Sequence, residues 1–238
     1  MRIIFSRKGF DTGSGGTASP IVNGQPVSLP IPTRRRSVTT YDQLGLGCLV
    51  ERVTRGKISR DDLCHEDPMF LAGQCFFGQC GAAQSHLRNQ GVGLGDVFLF
   101  FGLFADEHTR ERHHRIFGYL RIEEIIDPSK NCLGQLDRPH PHSLGDWNRN
   151  NTVYRGTGEV TKRDHERLRL TQPTGPLRHW IVPDWLSTVG LSYHGKPERW
   201  LRKDRLEVVS RGQEFVADVG EDGKARNWLE RMIEEVRS

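Results

Sequence analysis

Two apolar runs near the middle of the chain constrain its fold most. Residues 95–104 read GDVFLFFGLF and residues 115–126 read RIFGYLRIEEII. The first follows a Gly-Asp turn and the second alternates at its centre, so both read as β-strands. Polar ADEHTRERHHR, residues 105–115, lies between them. The arrangement predicts an antiparallel hairpin in a central sheet, closed by a long charged loop.

Shorter signals surround this pair. Arg2-Ile3-Ile4-Phe5 predicts a buried strand, and Asn23-Gly24 a tight turn between strands around Pro20–Val22 and Pro26–Leu29. Thr40 to about Val53 predicts a helix capped by Thr39 or Thr40, and residues 79–90 a second helix stopped by Gly91. HERLRLTQP, RLEVVS and GQEFVADVG are further strand candidates. In ARNWLERMIEEVRS, the residues Trp228, Leu229, Met232, Ile233 and Val236 share one helical face. Regular βαβ alternation is missing, which argues against a doubly wound sheet. The expected fold is α+β: a mixed or antiparallel sheet, or a small PUA-like barrel, flanked by helices in a single domain over residues 1–238.

Composition permits a packed core, with 35% hydrophobic and 27% charged residues among 238. The net charge of +4 tolerates contact with phosphate without demanding it. No apolar run approaches the roughly 18 residues of a membrane span, and the start lacks a signal peptide, so a cytoplasmic protein without membrane contact is expected. Five irregularly spaced cysteines, Cys48, Cys64, Cys75, Cys80 and Cys132, read as free thiols. Cys75 and Cys80 have a metal-like spacing, but no second pair completes a site, so no metal is expected.

Chemistry concentrates in SRKGFDTGSGGTASP, residues 6–20. Cations at a strand end, followed by small residues, can form an anion site. The amides of Gly13, Gly15 and Gly16 can approach a phosphate, while Arg7 and Lys8 add charge. Asp11 can orient a cation or act as a base. The alternative is a glycine-rich turn carrying a solvated charge pair. Exposed loop-end charges contribute about 0–1 kcal/mol, so Lys8→Ala and Asp11→Ala are expected to leave folding intact.

His140 and His142 flank Pro141, and extended geometry would aim both rings to one side. They are expected as proton carriers or base contacts, since DRPHPHSLGDW offers few further ligands. Gln79, Gln84 and His86 fall in the candidate second helix, where amide and imidazole edges suit nucleobases. The expected catalytic set is Lys8, Asp11, His140 and His142. The expected nucleotide contacts are Ser6, Arg7, Ser14, Gly15, Gly16, Gln84 and His86.

RIIFSRKGFDTGSGGTASPI, LPIP, CHEDP, FGQCGAAQSHLRNQGVGLGDVFLFFGLF and RIFGYLRI resemble the nucleotide-modification-associated domain 3 family over nearly the whole chain. CHEDPMF departs from the leucine-rich version expected there. The resemblance implies a role beside systems, in bacteria and phages, that make modified nucleobases in DNA, with nucleotide or nucleic acid and proteins of such a system as partners. It implies no particular cofactor. GDVFLFF with RIFGYLRI is similar, at fold level, to the EVE and ASCH domains of the PUA-like class. Two functions follow: an enzyme or enzyme partner in base modification, or a non-catalytic reader holding a modified base.

Overall fold

A computed structural model describes residues 1–130, 133, 136–147, 149–210 and 214–238. Its strands in chain order are β1 (Arg2–Arg7), β2 (Ser19–Val22), β3 (Gln25–Pro26), β4 (Ile31–Pro32), β5 (Cys64–His65), β6 (Met69–Leu71), β7 (Gln74–Gln79), β8 (Val97–Asp106), β9 (Arg112–Ile126), β10 (Thr152–Val160), β11 (His179–Ile181), β12 (Trp200–Arg202), β13 (Arg205–Glu207) and β14 (Glu214–Asp218). The helices are α1 (Gly47–Thr54), α2 (Gly81–Asn89), α3 (Asp184–Val189) and α4 (Gly223–Arg237).

The main sheet runs β14-β1-β8-β9-β10-β7-β6, with β2 and β3 beside the far end of β8. β8 and β9 pair antiparallel, as the two apolar runs predict. The connection is tighter than expected, because Arg112, His113 and His114 already belong to β9. Val97 through Phe104 are all buried. A strand buried on both faces has no polar alternation, which explains the unbroken apolar run.

Successive residues of β1 and β8 feed two cores. Ile3, Phe5, Val97, Leu99 and Phe101 pack on one face with Trp180 and with Leu229, Met232 and Ile233 of α4. The stripe on the last helix is therefore a core stripe. Ile4, Phe98 and Phe100 point the other way, onto Phe77, Tyr154 and Leu87. Register shifts at Phe100/Phe101 and Arg155/Gly156 bend the sheet. Gly156 is required at the second bend, since a Cβ would lie 1.9 Å from the Arg121 carbonyl oxygen. The sheet is α+β, mixed and curled, but its pairing runs from β14 to β6 without closing, so the barrel form of the expectation is not adopted.

Several local expectations shift. The first helix starts at Gly47 instead of Thr40. Thr40 and Gln43 do form a reciprocal side-chain cap (Thr40 N to Gln43 Oε1, 2.9 Å; Gln43 N to Thr40 Oγ1, 3.2 Å), but left-handed Gly45 (φ +70°) ends the turn. HERLRLTQP holds a 3-10 turn at Glu166–Leu168 and isolated bridges instead of a strand. Gln79 ends β7 and is not on α2. Cys132, and the Gly212-Gln213 start of GQEFVADVG, lie outside the described residues. No helix among the described residues is long and apolar enough to cross a membrane.

Candidate functional site

The opening loop exists because two strands share one edge of β8. β1 pairs with Val97–Phe101 and β2 with Phe104–Asp106. Between them the chain leaves the sheet after a last bond from Lys8 N to Phe101 O, 2.8 Å. Gly102 makes that approach possible, since a Cβ there would sit 2.7 Å from the Lys8 carbonyl oxygen. Residues 9–18 are thus an excursion from the sheet edge.

Asp11 folds the excursion back on itself. Its Oδ1 accepts from Gly13 N (2.7 Å) and Ser14 N (2.6 Å), and its own amide donates to Ser14 O (2.8 Å). The Gly13 amide is therefore spent inside the loop, not offered to a phosphate. Gly15 and Gly16 face a separate, wider groove of about 980 Å³ that also includes Arg52, Arg55, Lys57 and Arg110.

Arg7, Lys8, Asp11 and Ser14 line a smaller cleft of about 240 Å³, together with His65, Asp67, Gln79, His142 and Trp147. Arg7 is partly committed, donating to the carbonyls of Ser210 (2.9 Å) and Val209 (3.3 Å); its burial lowers its affinity for the proton. Lys8 Nζ lies 3.0 Å from Glu214 Oε1 and 4.4 Å from the centre of the Phe77 ring. Gln79 Nε2 donates to the same Glu214 oxygen at 2.8 Å, so the end of β7 is tied to the start of β14.

The opposite wall comes from two distant segments. His65 ends β5 and Asp67 follows it, while His140 and His142 belong to a 3-10 turn at Pro141–Ser143. His142 is thus not extended, yet both rings do turn to one side. The turn does this through a cap: His142 N donates to His140 Nδ1 at 3.1 Å. His140 Nε2 then lies 3.4 Å from Asp67 Oδ1, and His142 Nε2 3.8 Å from Asp67 Oδ2. His65 Nε2 is 3.7 Å from the same Oδ2. Gly78 N donates to Asp67 Oδ1 at 2.8 Å. Burial alone would push the Asp67 carboxyl up, but the adjoining His140, His65 and His142 imidazoles draw it well below the usual carboxylate range.

The His142 ring is clamped. It stacks on Trp147 with centroids 4.0 Å apart at 12°, and a Cβ on Gly78 would lie 2.2 Å from it. Arg36 covers Trp147 at 4.1 Å. Asn151 Nδ2 donates to His142 O (2.8 Å), which turns its Oδ1 toward His142 Nδ1, 2.5 Å away. Nδ1 therefore carries the proton and Nε2 presents a lone pair. Burial lowers the His142 pKa to about 4.

The remaining expected contacts lie elsewhere. Ser6 is fully buried within β1. Gln84 accepts from the Tyr154 hydroxyl (3.0 Å) in the core, and His86 lies 3.1 Å from Ser192 Oγ while packing on Tyr193. Cys75 is a free, buried thiol in the core with Ile4, Phe77 and Phe98. His140 is completely buried behind Asp67. His65 and Asp67 were not anticipated. Their signal in the sequence is the pairing of His65-Glu66-Asp67 with His140-Pro141-His142, two short segments each with polar groups at alternate positions. Ligand atoms of His65, Asp67 and His142 all lie within 4.8 Å of one another, a set able to hold a metal ion. The metal-free expectation rested on the sparse neighbours of His140 and His142 in sequence, and the fold supplies two from residues 65–67.

The family described as nucleotide modification associated domain 3 matches the chain over residues 2–218. The chain belongs to that family. The match takes in both walls of the cleft, from the Lys8 loop to Glu214. No curated protein and no solved structure matches this member of the nucleotide modification associated domain 3 family.

Proposed function

We propose that the 240 Å³ cleft beside Lys8 and Asp11 binds a nucleotide or a modified base, and that the protein acts in nucleotide or DNA base modification. The observation that carries this reading is the meeting of Arg7, Lys8 and Asp11 with His142 and Trp147 in one cleft, in a member of a nucleotide-modification-associated family. Arg7 supplies positive charge along its lining, while Lys8 there is held by Glu214. His142 Nε2 accepts a hydrogen bond, and Asp11 Oδ2 offers a second acceptor, so amino and imino edges of a base can be met.

An enzyme or enzyme partner is favoured over a passive reader by one feature. Asp67 is buried, ionised and surrounded by three imidazoles, a concentration of perturbed titratable groups that shape recognition alone does not require. A reader of a modified base is the alternative, and proteins of a DNA-modification system are the proposed partners in either case.

The test is calorimetric titration of the protein with nucleoside monophosphates, modified and unmodified, alongside Asp11→Asn and Trp147→Phe. The reading expects at least one saturable complex, weakened in both variants. Failure of every nucleotide to bind, or equal binding in both variants, would overturn it.

A further inference from the structure

We propose that His65 Nε2, Asp67 Oδ2 and His142 Nε2 form a binding site for one divalent transition-metal ion in the wall of the cleft. The proposal goes beyond the nucleotide reading and does not depend on it.

Tautomer geometry is the first argument. The Asn151 amide forces the His142 proton onto Nδ1, so Nε2 aims a lone pair at a carboxylate oxygen 3.8 Å away. Two electron-rich atoms that face each other across such a gap favour a cation between them. His65 Nε2 adds a third donor, 3.7 Å from the same oxygen. Closing these gaps onto bonds of about 2 Å needs side-chain shifts on the order of 1 Å.

The surroundings have the form of an outer ligand shell. A ligating histidine ordinarily gives its second ring nitrogen to a carbonyl or carboxylate oxygen, as His142 Nδ1 does to Asn151. The other Asp67 oxygen is held by the Gly78 amide at 2.8 Å. His140, fully buried, has its Nδ1 occupied by the His142 amide and points an otherwise unpartnered Nε2 at that oxygen from 3.4 Å. Gly78 keeps the space in which the His142 ring lies. Each device orients a donor, and none blocks the ligand atoms.

Donor chemistry sets the class of ion. Two imidazoles and a carboxylate suit Zn²⁺, Fe²⁺, Mn²⁺ or Co²⁺ better than all-oxygen Ca²⁺ or thiolate-seeking Cu⁺. Three protein ligands leave positions open, and His65, Asp67 and His142 all line the cleft. Open positions there can take water or a ligand oxygen, as in catalytic rather than structural sites.

The experiment is titration of chelator-treated protein with Co²⁺ alone, read by visible absorption and calorimetry. We expect one equivalent to bind with a histidine-ligated d–d spectrum. His65→Ala and His142→Ala should each weaken binding at least ~100-fold, and Asn151→Ala by roughly 10–100-fold. Exposed His108→Ala should bind as wild type. Circular dichroism checks folding; should His142→Ala not fold, His65→Ala at the cleft rim decides. Substoichiometric binding, or full binding by His65→Ala, overturns the site. Nucleotide is absent from this titration, and the nucleotide titration can be run with chelator present, so the two readings fail separately.

Discussion

Lys8 Nζ and Glu214 Oε1 lie 3.0 Å apart, with the Glu214 side chain wholly buried and that of Lys8 10% exposed. This pair joins the first strand to the last strand of the sheet at the floor of the cleft. The expectation that Lys8→Ala leaves folding intact does not suit a buried pair. Removing the lysine leaves an uncompensated carboxylate, a loss of about 3–5 kcal/mol. We predict that Lys8→Ala lowers the urea midpoint strongly and that Lys8→Met/Glu214→Leu recovers most of the loss. Equal midpoints for Lys8→Ala and wild type would refute the buried pairing.

Gly78 is predicted to be intolerant of a single methyl. Its Cβ would lie 2.2 Å from His142 Cδ2, and the ring is already stacked on Trp147. Gly78→Ala should cost about 1–3 kcal/mol and change tryptophan fluorescence as the ring is displaced. An unchanged melting temperature and spectrum would show that the ring does not rest on β7.

The central hairpin, the first strand and the last helix were legible because each buries a long apolar pattern: Val97–Phe104, Ile3–Phe5 and the Leu229–Val236 stripe. The gathering of Arg7, Lys8, Asp11 and His142 was legible as charged or titratable groups held at loops beside apolar strands. Asp67 and His65 were not, because nothing in local periodicity brings residue 67 to residue 142; long-range pairing of β7 with β10 does so. Gln84 was misplaced for a related reason. A glutamine on a helix reads as a surface group unless a buried hydroxyl, here Tyr154, is known to face it.

That contact yields a prediction of its own. Gln84→Leu leaves the buried Tyr154 hydroxyl without its acceptor and should destabilise the protein by about 1–3 kcal/mol. Ligand binding at the cleft should persist, since Gln84 does not line it. Loss of nucleotide binding in a folded Gln84→Leu protein would restore Gln84 to the site.

Acid should weaken the fold before its carboxylates titrate. Burial lowers the pKa of His113 and of His114 to about 4, aided by Arg115 and Arg169 at His113 and by Arg7 at His114, against opposing Glu111 and Asp11. In the unfolded chain both return to about 6.5. Below that value the unfolded state takes up protons that the folded state refuses, so stability falls from about pH 6.5 down to about pH 4 and the contribution levels off below. Each group contributes up to roughly 1.4 kcal/mol per pH unit. Urea midpoints at pH 7, 6 and 5 should decline in order, less steeply in His113→Gln. A flat profile would contradict the buried, neutral state of these rings.

The most direct measurement for the account as a whole is a crystal structure of the protein soaked with the tightest-binding nucleoside monophosphate. The account predicts the ligand in the 240 Å³ cleft, touching Lys8 or Asp11 on one side and His142 on the other. A ligand seated instead in the wide groove beside Arg55 and Lys57, with the cleft empty, would contradict it.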